Sequence, residues 1–188
     1  MTADITELSS EQVITATRRW MECAVIGLNL CPFAKAVHIK QQIRWVASAA
    51  TTEDALVAEL SRELEVLAEA HPDRIETTLL IHPHVLGDFL AYNDFLDIAD
   101  ATVTALDLDG ILQVASFHPD YQFADTLPGD IGNFSNRSPY PTLHLLREDS
   151  IERAVASMPD TARIYETNIE TLRRLGHEGW RRLWTDNG

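Results

Sequence analysis

Cysteine is nearly absent from these 188 residues. Only Cys23 and Cys31 occur, too few for a disulfide framework. Small secreted domains stapled by bridges are thereby excluded, and two isolated thiols suit a reducing cytosol. Long apolar runs are missing as well. No stretch approaches the ~20 residues that span a bilayer, and Met1–Ser10 has neither a basic start nor an apolar core, so a cytoplasmic location is expected. Basic residues are scarce: 15 Lys and Arg stand against 29 Asp and Glu, a formal charge of −14. A field of that sign repels phosphate backbones and anionic lipid, which argues against nucleic-acid and membrane partners. It leaves room for a local basic pocket that takes a small anionic molecule. Nothing in the sequence specifies a protein partner.

The familiar catalytic signatures are also missing. There is no Gly-x-Ser-x-Gly, no Gly-x-x-x-x-Gly-Lys or Gly-x-Gly-x-x-Gly, no His-Glu-x-x-His and no Cys-x-x-Cys. Any chemistry must come from residues that the fold brings together.

What is present is an ordinary globular composition, 45% apolar, on a chain long enough to bury a sizeable core. One domain over 1–188 is expected, with a helical tail at about 160–185. Ser9 and Gln12 form a capping box before a first helix whose stripe is Val13, Ala16, Trp20, Cys23 and Ala24, up to Gly27. In the apolar turn that follows, Cys31 is read as the cap and Pro32 as the first residue of a short helix. Ile43–Ala47 reads as a strand. A helix then runs from Thr52 to about Ala70, with Leu56, Leu60, Leu64 and Leu67 on one side. Thr77–His82 is a strand, and Asp88 caps a third long helix that ends at Gly110. Ile111–Phe117 is the most apolar strand and is expected to be central. Thr142–Leu146 follows after a long connection and could pair antiparallel. Asp149 or Ser150 and then Asp160 cap two further helices, the second reaching Gly176. Strand and helix alternate, so the predicted fold class is α/β: a small layered fold with a mostly parallel sheet of about four strands flanked by helices.

Two strands end alike, in His82-Pro83 and His118-Pro119. One helix joins them, so if they are parallel both carboxyl ends open on one sheet edge, where α/β proteins collect ligands. His82, His84 and His118 would converge there, as packing residues, as general acid or base, or as ligands of a divalent metal ion, with His144 and Cys31 as further donors. The 118–141 segment overhangs that edge and is dense in directional polar groups. There His118, Asp120, Tyr121 and Arg137 are the catalytic candidates. Gln122, Asn133, Asn136 and Arg147 are candidate ligand-binding groups, with Arg137 and Arg147 as anion hooks. The alternative is that these groups tie a long loop to itself. His144 lies between Leu143 and Leu145 and should face the other side of the sheet from them.

Cys31-Pro32-Phe33-Ala34 looks like the single-cysteine redox motif of omega-type glutathione transferases and their thioredoxin-fold relatives. A thiol redox role through Cys31 therefore stands beside a buried structural cysteine.

Four segments together carry a broader resemblance: Gly27-Leu-Asn-Leu-Cys-Pro-Phe-Ala34, Phe89-Leu-Ala-Tyr-Asn-Asp-Phe-Leu96, Gln113-Val-Ala-Ser-Phe-His-Pro-Asp-Tyr-Gln-Phe-Ala124 and Asn136-Arg-Ser-Pro-Tyr-Pro-Thr-Leu-His-Leu-Leu-Arg-Glu148. With these the chain resembles a bacterial family known only as a domain of unknown function, DUF1415, over nearly its whole length. The resemblance implies a one-domain cytosolic protein and carries over no activity, cofactor or catalytic residue. Three functions stay open: a small-molecule enzyme with a histidine-based, metal-assisted or acid/base site at the sheet edge, a binding or assembly module using the 118–141 loop, and a thiol redox protein.

Overall fold

In the computed structural model, residues 8–156 and 162–184 are described. Helix α1 spans Ser10–Trp20, and the Ser9–Gln12 capping box satisfies two of its orphan amides. The helix does not stop there. It widens into a π-helical turn, Met21–Ile26, in which the Gly27 N–H reaches back five residues to the Glu22 carbonyl. The widened turn brings the chain close upon itself: a Cβ on Gly27 would lie 2.3 Å from the Cys23 carbonyl oxygen. Gly27→Ala must therefore push two backbone segments apart. A loss of about 1–3 kcal/mol is expected, as for other overpacked sites, and urea unfolding would measure it.

Helix α2 is short, Ala34–Ile39, and Phe33 is the residue before it. The expected cap at Cys31 is thus displaced. Cys31 and Pro32 belong to the turn, where the Cys31 carbonyl accepts from the Ala34 amide. Strand β1, Ile43–Ala47, leads to α3, Glu53–Glu69, which is capped by Thr52. Strand β2, Thr77–Ile81, leads to α4, Phe89–Ala105, which is capped by Asp88. Strand β3, Leu112–Phe117, precedes the long connection, whose one regular piece is a 3-10 turn at Ile131–Asn136. Strand β4, Thr142–Arg147, runs directly into α5, Glu148–Ala156, and α6 follows at Ala162–Arg182. Helix α6 breaks at Gly176, whose φ of 66° is the left-handed value glycine adopts cheaply. The capping role expected for Asp160 lies outside the described residues.

The four strands form one sheet in the order β1-β2-β4-β3. Pairing is parallel between β1 and β2, but antiparallel on both sides of β4. The sheet is mixed rather than mostly parallel, because the last strand inserts between β2 and β3. That insertion also moves β3 to an edge, against the expectation that it is central. The inner strands are β2 and β4, and all five residues of β2 are buried. An edge strand needs burial on only part of its surface, and Gln113 of β3 is exposed.

One face of the sheet presents Val46, Leu80, Leu143, Leu145, Val114 and Leu112 to α3 and α4. The helices answer with Leu56, Leu60, Leu64, Leu67, Tyr92 and Phe95, and this is the main core. The second face carries Trp45, Leu79, Ile81, His144, Ala115 and Phe117. It is covered less evenly. Helix α1 and its π-helical turn pack near β1, and α6 packs on the 3-10 turn with Trp180 buried against Trp20 and Leu172. Among the described residues no helix is long and apolar enough to cross a membrane.

Candidate functional site

Strands β2 and β3 run in the same direction although β4 separates them, so His82 and His118 leave the sheet at one edge. Between their rings stands Tyr92 of α4, with centroids 5.8 Å from His82 and 5.0 Å from His118. The tyrosine hydroxyl donates to the Thr142 carbonyl at 2.8 Å and accepts from the Phe117 amide, so its polar end is saturated. Burial pushes its ionisation upward.

Both histidines are sealed, with no exposed surface. Nδ1 of His118 accepts the Asp120 amide at 3.0 Å, which leaves Nε2–H to donate to the Leu86 carbonyl at 3.1 Å. His82 donates Nδ1–H to the Val85 carbonyl at 3.0 Å, and its Nε2 is buried with no partner among the described residues. Burial holds the His82 imidazole down at about 4 and lowers that of His118, so both are neutral near pH 7. Their evident work is to clasp the 82–88 loop that delivers α4.

The convergence inferred from the paired His-Pro ends is therefore real for these two rings. It does not extend further. His84 is exposed on the loop, and His144 lies within β4, on the second face of the sheet. Among the described residues no three His, Cys, Asp or Glu side chains gather as a metal site, so His82, His84, His118, His144 and Cys31 are dispersed donors.

Most of the polar side chains of the 118–141 segment bond to the segment's own backbone or to one another. Asn133, fully buried, accepts from the Phe123 amide and the Thr126 hydroxyl and donates to the Leu127 carbonyl. Gln122 donates to the Thr126 carbonyl, and Asn136 to that of Ser116. Tyr121 packs its ring between Phe89 and Phe123, while Asp120 is exposed. Arg137 lies over the Phe134 ring at 4.3 Å and donates to the Tyr121 and Pro128 carbonyls. Arg147 is buried and grips the Leu67, Ala70 and Ile75 carbonyls, closing the C-terminal end of α3. It has the geometry of a helix cap and not of an anion hook.

The accessible chemistry lies elsewhere, on the less evenly covered sheet face. Helix α2 has six residues and α5 nine, and between them they leave a cavity of about 390 Å³ open over β2, β4 and β3. Its walls are apolar, built from Met21, Val25, Phe33, Val37, Leu79 and Phe117, with Cys31 at the wall and His144 on the floor. His144 Nε2 is 2.8 Å from the Thr77 hydroxyl oxygen. That hydroxyl spends its own proton on the Leu145 carbonyl at 2.7 Å, so it can only accept from the imidazole. Nε2 of His144 is therefore the protonated nitrogen. Nδ1 keeps an unshared pair and has no partner among the described residues. Burial alone holds this imidazole at about 4, with no neighbouring charge contributing. The floor of the cavity is a neutral, oriented hydrogen-bond acceptor set in apolar walls.

Sequence reasoning placed His144 on this face but could not find the cavity. Trp20, Val25 and Phe33 line it from one end of the chain and Leu79 from β2, and each reads from sequence as an ordinary core residue. The signal available was weak: a histidine at an inward strand position, with a threonine on an adjacent strand to orient it.

No curated protein and no solved structure matches this chain. Residues 12–182 match the family model described as Protein of unknown function (DUF1415), and with 171 of 188 residues so covered the chain belongs to that family.

Proposed function

We propose that the protein binds a small, mainly apolar molecule in the cavity over β2 and β4, and holds it by a hydroxyl or N–H group donated to His144 Nδ1. The single observation that carries this reading is the tautomer lock: Thr77 directs the proton to Nε2 and leaves the other ring nitrogen as the acceptor on a residue that lines the mainly apolar cavity. Concave, mostly apolar sites with few directional polar groups are what small ligands use. Binding is favoured over general-base catalysis by magnitude. A base with a pKa of about 4 is far from the operating pH at which proton abstraction is efficient. A redox role for Cys31 has less support, because the thiol sits in a turn and not at the first amides of a helix. A cytosolic setting fits the chain, in which neither cysteine is in a disulfide.

Phenol and toluene make the test, being alike in shape and different in one donor. Titration followed by calorimetry and by the His144 ring resonances is expected to show saturable phenol binding, tighter than toluene by up to about tenfold, the worth of one net hydrogen bond. His144→Phe keeps the apolar volume and should bring phenol down to the toluene level. Equal affinities in the wild type, or no saturation by either compound, would overturn the proposal.

A further inference from the structure

A second concavity lies beyond Trp20, whose ring lines both spaces. This cleft, of about 470 Å³, is formed where α1, the 118–141 segment and the end of α6 meet. Its polar lining is Arg19, Arg137 and Ser138, and its apolar walls are the rings of Trp20, Phe134, Trp180 and Trp184. Among the described residues no carboxylate lines it, although the chain as a whole carries fourteen more acidic than basic side chains.

Carbonyl oxygens, and not paired carboxylates, position the two guanidiniums. Arg19 donates to the Trp184 carbonyl at 2.6 Å, and Arg137 uses Nε and one terminal nitrogen on the Tyr121 and Pro128 carbonyls. Carbonyl partners fix a guanidinium's direction but leave its full charge. Among the described residues neither arginine has an ion-pair partner, and each keeps donors unused. The Ser138 hydroxyl is committed to the Tyr140 carbonyl. Arg137 is also partly desolvated, which lowers its pKa against the opposing pull of the nearby, exposed Asp120 carboxylate, and makes an incoming anion worth more there than in water.

We propose that this cleft is a separate site for a small organic anion, a carboxylate or comparable oxyanion carried on a flat apolar body. Guanidinium forks match two oxygens at once, and indole faces accept a planar group by stacking. The site does not depend on the His144 cavity, and the two can be tested apart.

The experiment uses the whole chain and sodium benzoate, with benzyl alcohol as the uncharged match and inorganic phosphate as the anion without a ring. Tryptophan fluorescence and calorimetry should show benzoate saturating about tenfold or more tighter than benzyl alcohol, with phosphate weaker than benzoate. Affinity for benzoate should fall as NaCl rises from about 0.05 to 0.3 M, since the pair is partly exposed. Arg19→Gln, on an exposed side chain, should weaken benzoate at least about fivefold while the melting temperature holds. His144→Phe should leave benzoate unaffected, which separates this site from the phenol site. Equal binding of benzoate and benzyl alcohol would overturn the proposal, as would indifference to Arg19→Gln or salt, or loss of benzoate binding in His144→Phe.

Discussion

Acidification from pH 7 to about 4 is expected to cost the fold several kcal/mol through two imidazoles alone. Burial holds His82 and His144 at about 4 in the folded chain, against ~6.5 for a solvated histidine. Between those values the unfolded chain binds more protons than the folded one, so stability rises with pH across the window and is lost as pH falls through it. Above ~6.5 both states are neutral at these positions and the contribution is constant. The full difference corresponds to about 3 kcal/mol per ring. His82, sealed beside Tyr92, should give most of that, and its buried Nε2 has nowhere to place a proton's charge. His144 borders the cavity and should give less. His118 is lowered by burial too and works in the same direction. Urea unfolding at pH 7 and pH 4.5 measures the loss. His144→Phe should have the shallower pH dependence, because it removes one of the groups that must be protonated on unfolding. Curves of equal slope for the variant and wild type would show that His144 does not titrate with folding.

Arg44→Ala is expected to cost about 3–5 kcal/mol, the range for breaking a buried ion pair from one side. Arg44 of β1 reaches across to α3 and holds Glu63 with two hydrogen bonds, at 2.6 Å from Nε and 3.2 Å from a terminal nitrogen. The Glu63 side chain is only 2% exposed, whereas that of Arg44 is 39% exposed. The asymmetry decides the direction. Removing the arginine strands a carboxylate among the leucines of α3, while removing the glutamate frees an arginine that water can reach. Arg62, at 3.7 Å from Glu63 but largely exposed, is a weak second partner and should keep the loss toward the lower end. Arg44→Met combined with Glu63→Leu should recover most of the stability, since apolar pairs of similar volume replace buried ion pairs at little cost. Chemical denaturation of the two single variants and the double variant settles it. A loss below about 1 kcal/mol for Arg44→Ala would mean that Glu63 is solvated in solution.

This ion pair was not legible in the sequence, and the reason is general. Glu63 falls between Arg62 and Leu64 on a helix whose face had to be inferred from leucines alone. Its charge suggests solvent, and only the position of β1 beneath the helix turns that suggestion around. The Asn133 network was half legible. A long, proline-rich segment with four aromatic rings and several amides has to satisfy its own backbone, but which amide meets which carbonyl depends on its path over β3.

Residue spacing alone determined the elements of this protein. The capping box at Ser9, the leucine stripe of α3, the Asp88 cap and the paired His-Pro strand ends are local features set by periods of 3.6 and 2 and by proline and glycine geometry. They also determined that His82 and His118 meet at one edge, since one crossover can join two strands of the same direction in few ways. Strand order was a tertiary decision. Thr142–Arg147 pairs with both β2 and β3 through hydrogen bonds between residues more than sixty positions apart in one case, and nothing in its own residues states where it inserts. Which histidine is accessible followed from that insertion. It buried His82 and His118 as clasps for the α4 loop, and it set His144 on a sheet face that two short helices cannot fully cover.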